Sequence, residues 1–154
     1  MADLQSLSSA QMQGRKTGSA GAQLARQYIA QRYQQLGLQH FSASYMQPFG
    51  YGHQKTAINV VGYLPGCQYP QHYIVVTAHY DHLGKQGRKI FHGADDNASG
   101  VAAMLELASR LGAALQELRL DSLSGLGSGY RSNSGAHDSG SGSSSSTPGG
   151  SPSA

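Results

Sequence analysis

Three side chains able to grip a cation or move a proton fall within a short stretch of this 154-residue chain. His79 and Asp81 lie in Thr77-Ala-His-Tyr-Asp-His-Leu-Gly84, and Asp96 lies in Gly93-Ala-Asp-Asp-Asn-Ala-Ser-Gly100. Histidine and carboxylates converging from separate segments suit zinc or a related divalent ion. Residues two apart on an extended chain face the same side, so Asp81 can stand behind the His79 imidazole. A carboxylate there fixes the tautomer of a ligating histidine and raises its basicity. The Asp95-Asp96 pair also has a purely structural account, since carboxylates and Asn are favoured at helix entrances. The His-x-Asp block upstream is what favours a metal site over that account.

The other ionisable groups have plainer readings. His40, His53 and His72 read as surface residues. His82 reads as support for its loop, and His92 and Asp95 as loop or cap residues. Glu106 reads as a solvated residue in mid-helix. Glu117, Asp121, His137 and Asp138 lie in or beside a Ser/Gly-rich segment and are poor ligand candidates.

The elements that must position the site follow from periodicity. Residues 1 to about 18 read as an irregular arm with one short helix near Leu4 to Met12. From Ser19 to Leu36, Ala25, Tyr28, Ile29, Tyr33 and Leu36 recur at helical steps. Ser19 is suited to cap this helix and Gly37 to end it. Phe41 to Phe49 alternates as a half-exposed strand does. Ala57 to Leu64 reads as a second strand, closed by Pro65-Gly66. Tyr73 to Ala78 is a continuous β-branched run, the pattern of a strand buried on both faces. His79 and Asp81 then sit just past its C-terminal end, where open α/β sheets place catalytic groups. Residues 80 to 97 read as a long loop, and Ala98 to Leu115 as a second helix with Val101, Leu105, Ala108 and Leu111 in one stripe. This order predicts an α/β class, the N-terminal portion of a helix-flanked mixed sheet.

Composition excludes several alternatives. Charged residues make up only 12% and the formal charge is +3, with the basic residues scattered. No stripe of Lys and Arg interleaved with aromatics suggests nucleic acid. The lone Cys67 excludes an internal disulfide and a thiolate metal site. No continuous apolar run reaches the ~20 residues of a membrane span, and the N-terminus has no signal-peptide pattern. From Ser122 onward Ser, Gly and Pro dominate, too little apolar surface to offset ordering entropy, so disorder is expected there. The division predicted is 1–115 as a partial catalytic domain and 116–154 as a low-complexity tail. Compartment and oligomeric state are not legible.

The Ala78–Gly84 and Gly93–Gly100 blocks, with the helix continuing to Leu105-Glu-Leu, resemble the di-zinc aminopeptidases, a group that includes plasma glutamate carboxypeptidase and the glutaminyl cyclases. Met12-Gln-Gly-Arg15 with Gly18, Leu36-Gly-Leu and Asn59-Val-Val-Gly fit the same family. The resemblance covers about residues 4 to 113, the N-terminal half of such a domain. It implies a three-layer zinc-peptidase sandwich and two zinc ions, with His79 binding one ion, Asp96 bridging both, and Asp81 behind His79. It also makes Asp96-Asn97 a candidate cis peptide. The implied reaction is hydrolysis of a peptide at its free N-terminus by metal-activated water, with a glutamate as base. Family members are often secreted or periplasmic. Later ligands and that glutamate are expected beyond the second helix, where Ser122 stands instead of an acid. The chain therefore reads as truncated, with a non-catalytic relative or a glutaminyl-cyclase-like acyltransferase as alternatives. Tyr80, with Gly84 after it, favours the peptidase branch.

Overall fold

The computed structural model describes residues 1–53 and 55–127, the last six of them by backbone alone. Helix α1 (Ala2–Leu7) leads into a 3₁₀ segment (Ala10–Arg15) and then helix α2 (Ala20–Gln35). Strands β1 (Met46–Tyr51) and β2 (Lys55–Val60) form an antiparallel hairpin with Met46 opposite Val60. A second, smaller hairpin pairs β3 (Gly84–Gln86) with β4 (Lys89–Phe91). A wide turn over Ala94–Ala98 then opens helix α3 (Ser99–Gly127). The class is mixed α/β, as the element order predicts.

Helix α2 forms where its periodicity places it. The Ser19 hydroxyl accepts a hydrogen bond from the Ala22 N–H at 3.3 Å, satisfying one orphan donor of the first turn. At the other end Gly37 takes a left-handed φ of 71°. The Leu38 N–H reaches the Tyr33 carbonyl and the Gly37 N–H that of Gln34, a Schellman ending. The apolar face so defined packs Ala25, Ile29 and Tyr33 against Leu7 and Met12 from the N-terminal arm, and against Ala98 of the wide turn and Val101 and Leu105 of α3. This helical cluster is the core.

Three elements differ from the sequence reading. Tyr73–Ala78 carries no regular secondary structure, and Ile74 and Val75 are 97% and 79% exposed. A β-branched run becomes a strand only when a neighbour completes its hydrogen-bond ladder. Among the described residues β1 and β2 pair with each other, and none pairs with this run. The loop expected over 80–97 contains the β3–β4 hairpin, turned by Gly87 at a φ of 58°. Helix α3 continues past Leu115 to Gly127, so the division at 115/116 does not coincide with the end of an element. The remainder of the expected disordered tail lies outside the described residues.

In helix α3, within Ala94–Asp121, an 18-residue window has a mean hydropathy of 1.2, by length and composition enough to cross a membrane, and 17% of it is buried. The first turns of the helix bury Val101 and Leu105 completely, and Glu106 pairs with Arg110 at 2.8 Å on the open face.

Gly14, whose φ is 69°, lies close against other backbone. A Cβ there would stand 2.4 Å from the Gly84 carbonyl oxygen and 2.5 Å from that of Phe91. Only glycine lets the N-terminal arm press onto the small hairpin in this way.

Burial pushes the Tyr33 hydroxyl above its ordinary pKa of 10.0. The folded state then holds this proton more tightly than the unfolded chain does. The stability it contributes is complete below about pH 10 and is lost as pH rises through the raised folded pKa. Tyr33→Phe is expected to flatten part of the alkaline loss of stability, measured as urea midpoints between about pH 8 and about pH 11. An unchanged slope contradicts this account of the core.

Candidate active site

Two segments meet to build the site. The first, Ala78 to Leu83, follows the exposed apolar run. It is tied to β2 by the Tyr80 hydroxyl, which donates to the Ile58 carbonyl at 2.8 Å. Burial, the largest influence on this hydroxyl, holds its pKa above the ordinary value. The second segment is the wide turn that opens α3. Its Asp96 and Asn97 leave helical geometry, and the peptide between them is cis. The Asn97 side chain accepts from the Gly100 N–H at 3.2 Å and so anchors the turn to the first residues of the helix.

His79, Asp81 and Asp96, singled out from the sequence, come together. His79 Nε2 is 3.3 Å from Asp96 Oδ1, and His79 Nδ1 is 3.4 Å from Asp81 Oδ1. The same Nδ1 also faces the Asp81 backbone oxygen at 3.2 Å. Acceptor oxygens thus face both ring nitrogens, those of Asp81 at Nδ1 and that of Asp96 at Nε2. The Thr17 hydroxyl donates to Asp81 Oδ2 at 2.7 Å and fixes that carboxylate in turn.

His82 stands closer to the site than its sequence context suggested. Its Nδ1 is 3.3 Å from Asp96 Oδ2, and its side chain is only 12% exposed. Each oxygen of Asp96 thus faces one imidazole nitrogen. Sequence reasoning also missed Thr17, whose hydroxyl has no signal in the chain, and Arg15, seen only as part of a motif. The other candidates sit elsewhere. The His92 ring turns to the Ser8 carbonyl at 2.8 Å. The Asp95 carbonyl accepts from the Ser99 hydroxyl at 3.0 Å. His72 stacks on Tyr69 and His40 lies edge-on to Tyr45. Glu117 and Asp121 are exposed. His137 and Asp138, and the side chain of Ser122, lie outside the described residues.

A lone pair and a carboxylate oxygen facing each other at 3.3 Å repel unless a proton or a cation lies between them. Two donors bound tetrahedrally to one zinc at about 2.0–2.1 Å would lie roughly 3.3–3.4 Å apart. His79 and Asp96 therefore fit as two donors to a shared ion. Among the described residues no group of three or more His, Cys, Asp or Glu stands together as a metal cage.

Residues 59–121 match the model of peptidase family M28, a span that includes His79, Asp81, His82 and Asp96. The chain is 31% identical over 115 residues to the alkaline phosphatase isozyme conversion protein of Escherichia coli (strain K12). That alignment covers 64% of this chain and 33% of the relative. The chain thus spans about a third of the length of the curated relative it matches. No solved structure matches. Over residues 59–121 the chain is thus similar to peptidase family M28.

Gly93 keeps the two segments in register. Its φ is 57°, and a Cβ there would stand 2.5 Å from the Asp96 carbonyl oxygen and 2.6 Å from His82 Cδ2. Gly93→Ala is expected to push His82 away from Asp96 and to destabilise the fold by about 2–3 kcal/mol. Urea unfolding measures the cost, and a midpoint equal to that of the parent chain contradicts the packing described.

Proposed function

We propose that this chain carries part of the metal centre of a zinc-dependent aminopeptidase, an enzyme that hydrolyses peptide bonds at a free N-terminus. The observation that carries the reading is the 3.3 Å approach of His79 Nε2 to Asp96 Oδ1 from separate segments. The match to a peptidase family over the same residues supports it. His79 and Asp96 are the residues that would hold zinc, and Asp96 would be the carboxylate shared between two ions. Zinc, when bound, supplies polarisation of the scissile carbonyl and activation of the attacking water. Asp81 orients the His79 ring, and Thr17 orients Asp81. The partner is a peptide, with neither nucleic acid nor membrane involved.

A second reading is a zinc-binding relative without turnover. It is favoured by the lack of a metal cage of three or more donors among the described residues. A reaction of this class also needs a carboxylate base, and Ser122 stands where one was expected; a hydroxyl does not serve as a base near neutral pH.

Purified full chain is expected to bind zinc, read by metal analysis after gel filtration. Asp96→Ala is expected to weaken binding at least about tenfold, while Asp95→Ala leaves it within about twofold. Hydrolysis of an amino-acid anilide that Asp96→Ala abolishes would favour the active enzyme, and zinc binding without hydrolysis the second reading. A chain that takes up no zinc contradicts both.

A further inference from the structure

Arg15 is the most deeply buried ionisable group described, with a relative exposure of 0%. Its guanidinium forms four hydrogen bonds among the described residues, all to backbone carbonyls. Nε donates to Tyr80 at 2.7 Å, Nη1 to His92 at 2.7 Å and to Leu7, and Nη2 to Gly93 at 2.7 Å. The Arg15 carbonyl accepts in return from the His82 N–H at 3.1 Å. One side chain therefore joins the segment bearing His79 and His82, the approach to the turn bearing Asp96, and the end of α1. The backbone is shaped for this purpose, because Gln13, Gly14 and Arg15 all take positive φ values of 47°, 69° and 48°. Burial disfavours the guanidinium's charge, and Asp81 and Asp96 partly restore it. Arg15 and the site carboxylates are thus electrostatically linked without an ion pair between them.

We propose that Arg15 is a positioning residue that sets the distance between His79 and Asp96, by clamping the carbonyls of Tyr80, His92 and Gly93 onto one planar fork. The importance of that distance rests on the proposed reading of His79 and Asp96 as zinc ligands; the clamp itself does not. A lysine keeps the charge but replaces the rigid fork with three donors on a shorter, flexible stem, so it cannot span the same carbonyls. Arg15→Lys therefore separates geometry from charge.

The experiment compares the full chain with its Arg15→Lys variant in two ways. Amide hydrogen exchange, without metal, reads the His82 N–H and the Ala98 N–H, which bonds to the Gly93 carbonyl at 3.1 Å. Both should exchange at least about tenfold faster in the variant, while interior amides of α2 keep their protection. Competition with a chromophoric chelator then reads affinity for zinc ion alone, which should fall at least about tenfold. Unchanged exchange at His82 overturns the proposal. So does acceleration spread uniformly through α2, or a variant that fails to fold, because either makes Arg15 a determinant of the whole fold. Unchanged zinc affinity with faster local exchange also overturns it. Should the parent chain bind no zinc, the functional reading fails, and the exchange pattern alone decides the clamp.

Discussion

An imidazole nitrogen and a carboxylate oxygen are held 3.3 Å apart by segments 17 residues distant in sequence. A proton or a cation between them joins such a pair. Here the surrounding structure limits both side chains. Asp81 and Thr17 fix the ring of His79 from behind, and the turn into α3 fixes the carboxylate of Asp96 from the other side. The remaining features of the fold can be understood as what is required to hold these two groups against each other.

The supporting elements divide this task. Helix α2 and the first turns of α3 supply the apolar mass, and the buried Val101 and Leu105 seat the helix whose entrance bears Asp96. The N-terminal arm passes under the small hairpin through Gly14 and delivers Arg15 into the interior. Burial of an unpaired guanidinium would be costly, because its desolvation is only repaid by well-aligned acceptors. The backbone carbonyls of Leu7, Tyr80, His92 and Gly93 supply those acceptors.

What the sequence disclosed follows from the range of the forces involved. Helix α2 was legible because Ala25, Ile29 and Tyr33 repeat locally and Ser19 and Gly37 punctuate them. His79 and Asp96 were legible through the motif blocks, although their distance apart could only come from the fold. The β3–β4 hairpin was not, because strands of three residues are too short to display alternation. Tyr73–Val76 misled because its residue types report a preference for a pleated environment, whereas pairing depends on a neighbour elsewhere. The Ser and Gly content near residue 122 argued for an early end to α3. Leu115, Leu118 and Leu120 lie along the continuation, and adding residues to an existing helix is easier than starting one. Arg15 resembled any surface arginine, since all its partners are distant in sequence or sit on backbone.

The central claim is that His79 and Asp96 share a cation. X-ray absorption at the zinc edge, on the purified chain loaded with one equivalent of zinc, tests it most directly. The account predicts a nitrogen and oxygen shell at about 2.0–2.1 Å, with imidazole multiple scattering that disappears in His79→Ala. An oxygen-only shell without an imidazole signature, identical in the parent chain and the variant, would contradict it.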